Sequence, residues 1–236
     1  MNRRQFLGTA AFAAAALPAA NVLAAPNEPK GIPTQNSKLT PPKSGGISVA
    51  IVISEFLNVI DFSGPWGVFE SVQVPGATEP PFHLFTVAET PEIVVSGSGL
   101  KLKPDYTFAN APEVKIIVIP AQKGSDAMID WLKKTAPMTD VTMSVCTGAF
   151  KLAKAGLLSG KPATTHHEFL DKLEKEYPDI QVKRGVRFVE LEKISTAGGL
   201  TSGTDLALRV VERYFGREIA QSAADYMEYQ GKGWIV

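Results

Sequence analysis

Cysteine is almost missing from this chain: 236 residues hold one, Cys146. An intrachain disulfide is therefore excluded, which leaves an inert buried thiol, an intermolecular link or a reactive group. Free cysteines are among the most buried residues, so the count by itself favours the inert thiol. Histidine is scarce as well, with His83, His166 and His167 the only three. No Cys, His or carboxylate cluster has ligand spacing, so no metal is expected. An excess of one charge is also lacking. The 24 Lys and Arg balance the 24 Asp and Glu, so no net field gathers nucleic acid or an anionic membrane. The chain has no internal repeat. No phosphate-cradling glycine loop follows a strand, since Gly198-Gly199 with Gly203 reads as a turn before a helix, where close chain packing accounts for the glycines. No cofactor is expected.

What is present begins with an address. Asn2-Arg3-Arg4-Gln5-Phe6-Leu7 precedes an Ala-rich apolar stretch and then Val22-Leu23-Ala24, the layout of a cleavable export signal. Adjacent arginines before Phe-Leu resemble the twin-arginine type, with an ordinary Sec signal or an uncleaved anchor as the other readings. The stretch is too short and too weakly apolar for a stable span, which needs about 20 strongly apolar residues. Cleavage is expected after Ala24, giving a periplasmic or secreted protein. Its loss removes two arginines and leaves 22 bases against 24 acids, a net charge of −2. Residues 25–46 carry five prolines among Asn, Lys, Ser and Gly and are expected to be a disordered tether. Residues 47–236 then form one domain, because a chain of this length with 44% hydrophobic residues fills one core and is short for two.

Within that domain, Ser48–Ile53, Phe82–Ala88, Lys115–Ile119 and Val141–Val145 are apolar runs of strand length, suited to a sheet covered on both faces. Ile93–Ser96 with Leu100–Leu102 reads as a hairpin, and Val186–Leu191 and Ile194–Ala197 as further strands. Pro65, after small polar residues, marks a helix start. Helical patterns occupy Ser125–Lys134, Thr147–Leu158, His167–Tyr177, Thr201–Phe215 and Glu218–Tyr229. Strands alternating with helices imply an α/β fold, a three-layer α-β-α sandwich around a mostly parallel sheet. Ligands of such sheets sit at the carboxyl ends of strands, and Cys146 lies at one.

A cysteine that ends a strand and begins a helix occupies a tight elbow. The amides of the first helical turn point toward it, and the positive end of the dipole favours thiolate over thiol. Ser144, Thr147 and Gly148 leave room for a substrate. A small residue filling a crowded turn is the alternative, and spacing alone does not choose between the two.

Four blocks narrow the reading: Val59-Ile60-Asp61-Phe62-Ser63-Gly64-Pro65; Ile117-Val118-Ile119-Pro120; Ser144-Val145-Cys146-Thr147-Gly148-Ala149-Phe150, continued by Ala163-Thr164-Thr165-His166; and Thr196 to Asp205. Together, over Val49 to Tyr229, they resemble the ThiJ/PfpI, class I glutamine amidotransferase-like superfamily, in particular its isonitrile hydratases and the sensor halves of AraC-type regulators. The resemblance implies a flavodoxin-like sheet, a small-molecule substrate and a homodimer with sites near its interface. It implies catalytic roles for Cys146 as nucleophile, Asp61 as the carboxylate that handles the thiol proton, and Thr147 as a donor beside the sulfur. It also implies a substrate pocket from His166, Gly64, Ala121, Gln122 and Gly148. For Asp61, capping of a helix beginning near Gly64 competes with the catalytic role; for Thr147 capping does, and for His166 a packed structural role does.

Two departures matter. Peptidase members carry His directly after the cysteine to complete a dyad, and Thr147 stands there, so peptidase activity is not expected. Members commonly have Gly-Gly after the Ile-Pro of the central strand, where this chain has Ala121-Gln122. These side chains narrow the pocket or redirect the amide, or Gln122 offers its own amide to a ligand. The function expected is that of a cysteine-dependent hydro-lyase converting an isonitrile and water to an N-substituted formamide. The alternatives are a glyoxalase- or deglycase-like enzyme on reactive carbonyls and a non-enzymatic binding or redox-sensing domain. No helix-turn-helix half is expected after the domain.

Overall fold

The computed structural model describes residues 29–34 and 38–236; the export signal expected over residues 1–24 lies outside the described residues. Eleven strands are described: β1 (Ile47–Val52), β2 (Phe82–Ala88), β3 (Val94–Val95), β4 (Lys101–Leu102), β5 (Tyr106–Thr107), β6 (Ile116–Ile119), β7 (Val141–Val145), β8 (Pro162–Ala163), β9 (Gln181–Val182), β10 (Phe188–Glu190) and β11 (Ile194–Ala197). The α-helices are α1 (Val59–Glu70), α2 (Asp126–Thr135), α3 (Ala149–Lys154), α4 (Leu170–Glu176), α5 (Ser202–Phe215) and α6 (Arg217–Tyr226). Seven strands make the central sheet in the order β10-β11-β7-β6-β1-β2-β5. All neighbours are parallel except β10 and β11.

The apolar runs become strands because both faces of the sheet are covered, and the period of two sorts their side chains. From β1 and its end, Ile47, Val49, Ile51 and Ile53 join the core with α1, α5 and α6. Ala50 and Val52 face the opposite core, with α2, α3 and α4. Helix α2 starts where Ser125 Oγ accepts the Met128 N–H at 3.1 Å, and it has Asp126 in its first turn and Lys133 and Lys134 in its last, charges that suit both dipole ends. Helices α1 and α5 pack closely through small residues. A Cβ on Gly64 would stand 2.8 Å from Thr204 Oγ1, and one on Gly203 2.8 Å from Val145.

Two local expectations are corrected. The helix expected to start at Pro65 begins at Val59, with Asn58 extended before it and Pro65 inside. Proline lacks the N–H that would bind the Asp61 carbonyl, and its ring lies against the Gly203 backbone of α5 instead. Asp61 is therefore in the first turn and is no cap. The segment expected to be a disordered tether is docked around Ile32 and at Leu39, while residues 42–45 are exposed. Ile32 N–H donates to Phe188 O at 2.8 Å, its carbonyl accepts from Glu190 N–H at 2.8 Å, and Leu39 N–H donates to Arg213 O at 2.8 Å. β10 is an edge strand with unpaired backbone groups, and a short extended segment satisfies them.

Candidate active site

The carboxyl ends of β1, β6, β7 and β11 open on one edge of the sheet, and their following loops converge on Cys146. The chain leaves β7 extended at Val145 (φ −122°, ψ 140°) and turns at Cys146, whose φ of +55° is left-handed. Few residues other than glycine adopt this conformation, and surrounding structure has to hold it. Here both backbone groups are held. Cys146 N–H donates to Gly198 O at 2.8 Å, and Cys146 O accepts from Thr165 Oγ1 at 2.8 Å. Gly148 lets the elbow press on β6, since a Cβ there would stand 2.0 Å from Ile119 O. The helix expected from Thr147 to Leu158 resolves into a 3-10 turn over Cys146–Gly148 and the short α3.

The sulfur is nearly enclosed: Cys146 is 6% exposed and Asp61 0%. The backbone N–H and hydroxyl of Thr147 and the backbone N–H of Leu200 favour the thiolate form of the sulfur. Asp61 faces it from α1, with Oδ2 accepting the Ala121 N–H at 3.0 Å. Oδ1 is buried without a hydrogen-bond partner among the described residues, and the thiol is the other proton donor acting on this carboxyl. Burial lifts Asp61 to about 6 against the pull of Ala121 and the thiol. Burial, and then the Asp61 charge, push the thiol up to about 11, and the donors from Thr147 and Leu200 offset this only in part.

The thiolate expected from the helix dipole is thus corrected to a neutral thiol. The reason is physical: a six-residue helix supplies a small dipole, whereas desolvation next to a carboxylate disfavours a second negative charge. Between about pH 6 and 11 the pair holds one proton, on sulfur.

The implied pocket residues divide. Ala121 and Gly148 adjoin the pair directly, one as donor to Asp61 and one as the close contact of the elbow. Gly64 serves the packing of α1 on α5. Gln122 is turned inward, its Nε2 donating to Val52 O at 2.9 Å, so its amide is used within the chain. His166 accepts the Glu168 N–H at 3.4 Å through Nδ1, and its ring lies 4.4 Å from that of His167, tilted by 34°. It flanks Gly199, where a Cβ would meet its ring at 2.4 Å. His166 thereby walls a cavity of about 410 Å³ that also reaches Thr165, Arg187, Leu200 and His167, and shares Thr165 and Leu200 with the elbow. His167, next to His166 in the sequence, lines this cavity too. Thr165 and Leu200 lay inside the recognised blocks, but the Thr165 hydroxyl meets a backbone carbonyl and Leu200 acts through its backbone, so neither contact leaves a pairing of side chains to read from the sequence. Among the described residues no group of three or more His, Cys, Asp or Glu is placed to hold a metal ion, and no helix is long and apolar enough to cross a membrane.

A flavodoxin-like α/β sheet with a lone cysteine in a left-handed elbow and a carboxyl opposite defines a class, and the sequence comparison agrees with it. Residues 47–213 match the DJ-1/PfpI family, and the chain belongs to it. Isonitrile hydratase of Pseudomonas putida is 31% identical over 189 residues, 78% of each chain. The HTH-type transcriptional regulator GbdR of Pseudomonas aeruginosa is 26% identical over 142 residues, 58% of this chain but 38% of the regulator. Among solved structures, a ThiJ/PfpI family protein from Pseudomonas syringae superposes with a TM-score of 0.70 at 24% identity, covering 80% of this chain and 77% of that one. Drosophila melanogaster DJ-1beta gives 0.67 at 17% identity, over 79% and 100%. These two likenesses carry the fold.

Proposed function

We propose that the protein is a cysteine-dependent hydro-lyase of the isonitrile hydratase kind, converting an isonitrile and water to an N-substituted formamide. The observation that carries this reading is a buried thiol facing a buried carboxyl that has one backbone amide and no cation beside it. As the isonitrile carbon approaches, the thiol proton passes to Asp61 while the S–C bond forms. Asp61 then returns the proton to that same carbon, leaving a neutral thioimidate on Cys146. Water adds to the C=N bond, the C–S bond breaks, and the sulfur takes back a proton as the formamide leaves. No net charge is created in a site that disfavours charge, which is what its burial selects for. A glyoxalase-like reaction would develop an alkoxide that needs its own donor. The Ala121 amide, the backbone donor nearest Asp61, is already bonded to that carboxylate.

Export by the twin-arginine-like leader and assembly as a homodimer are parts of the same proposal. The first predicts periplasmic recovery, and the second a doubled mass by light scattering.

The test is direct. The mature chain incubated with an aryl isonitrile is expected to release the formamide, and Cys146→Ala to release none. Turnover surviving in Cys146→Ala, or methylglyoxal consumed in place of isonitrile, overturns the proposal. The rate is expected to fall about tenfold per unit as pH drops below about 6, because a protonated Asp61 accepts nothing from the thiol.

A further inference from the structure

The elbow is held from the side by a turn that the thiol chemistry above leaves unexplained. Gly198 O accepts the Cys146 N–H at 2.8 Å, and Gly198 N–H donates to Arg187 O at 2.9 Å. Two residues on, Leu200 adopts a left-handed φ of +51°, and its N–H is one of the donors that favour the thiolate form of Cys146. Leucine does not hold such a conformation unaided. At the far end of the turn, Thr201 Oγ1 accepts from Arg187 Nη2 at 3.0 Å. One residue therefore grips both ends, by its carbonyl at Gly198 and by its guanidinium at Thr201.

Arg187 is itself firmly seated. Its Nε donates to Asp205 Oδ2 at 2.6 Å, and Tyr229 OH donates to the other oxygen of that carboxyl at 3.0 Å. Its N–H donates to Lys30 O at 3.1 Å, so the docked N-terminal segment braces the same residue. Asp205 lies in the first turn of α5 and is buried. A flat, forked guanidinium bridges two acceptors in fixed geometry, which an ammonium on a flexible stem does not.

We propose that Arg187 is a positioning residue of the site: it fixes the Gly198–Thr201 turn, whose Gly198 carbonyl holds the N–H of the Cys146 elbow and whose Leu200 amide is kept beside it. Arg187 acts through the turn, whatever electrophile the sulfur meets, so the inference stands apart from the hydratase reading.

Two variants test it. Thr201→Val removes the guanidinium's hold on the turn and little else, because the Thr201 side chain makes no capping hydrogen bond to α5. Arg187→Lys keeps a cation beside Asp205 but loses the fork. The measurements are the pH dependence of Cys146 alkylation by iodoacetamide, followed by intact mass, and the melting temperature. Both variants are expected to melt near the parent and to alkylate about tenfold more slowly at pH 8, since losing one donor to the thiolate moves its titration up by about one pH unit. The double variant is expected to be no slower than either single one, because both act on one turn. Alkylation curves that superimpose on the parent's in both variants overturn the proposal and leave Arg187 as the counter-ion of Asp205. Should Arg187→Lys fail to fold, the Thr201→Val curve decides alone.

Discussion

Asp61 and Glu190 are both carboxylic side chains buried to within 1%, and their surroundings are opposite. Glu190, on edge strand β10, has Arg209 Nη2 at 2.8 Å and Arg213 Nε at 3.9 Å. It also accepts the Thr34 N–H from the docked N-terminal segment at 3.2 Å. Arg209 continues to Glu212 at 2.8 Å, and Glu212 to Arg217 at 2.8 Å. Asp61 has one backbone amide and a thiol. A buried carboxylate ringed by guanidinium groups is committed to structure, because moving its proton would strand the cations. A buried carboxyl without a cation lies close to its two protonation states, and that is the property proton transfer needs.

The sharpest way to break this contrast is to neutralise each group in turn. Asp61→Asn is expected to lower formamide formation by about 10³-fold, within the usual range for a lost acid–base group, while the melting temperature holds or rises. A variant that keeps its turnover and melts early would make Asp61 a structural residue after all. Glu190→Gln is expected to do the reverse. It leaves Arg209 and Arg213 without their shared charge and is expected to cost about 4 kcal/mol in urea unfolding, with Cys146 alkylation in the folded protein unchanged.

A smaller effect sharpens the same comparison through pH. An unfolded Asp61 ionises near 3.8, whereas the folded group stays protonated up to about 6. Below 3.8 neither state is charged and the group is neutral toward folding. Between those values the unfolded chain has lost the proton and the native one has kept it, so stability declines as pH rises and levels off above about 6. The full decline is about 3 kcal/mol at 1.36 kcal/mol per unit. Unfolding of the parent and of Asp61→Asn, compared from pH 3 to 7, is expected to show the asparagine variant gaining by that amount. A difference constant with pH would mean that the native carboxyl is not held up by its burial.

The strands were legible because burial on two faces leaves long apolar runs, as in β1 and β6, and the elbow was legible because Cys146 follows such a run directly. The start of α1 was not. Pro65 is a strong local signal for a first turn, and the packing of Gly64 and Pro65 on α5 overrode it. The docking of residues 29–34 was hidden for a related reason: a proline-rich composition shows how little a segment buries, but not that a bare sheet edge awaits it. Of the roles open to Gln122, an amide offered to a ligand is the one the structure removes, because the Val52 carbonyl of β1 takes it.

From its order of residues alone, this chain determined an alternating α/β framework, one thiol at a strand end and a set of blocks shared with a family, since each is a matter of local pattern. Tertiary structure decided the rest. It brought Asp61 from one helix onto a sulfur from another element, placed Arg187 behind the turn beside them, and left the proton on sulfur rather than free. Protonation follows from how much water and which charges surround a group, and those are known only once distant parts of the chain have packed.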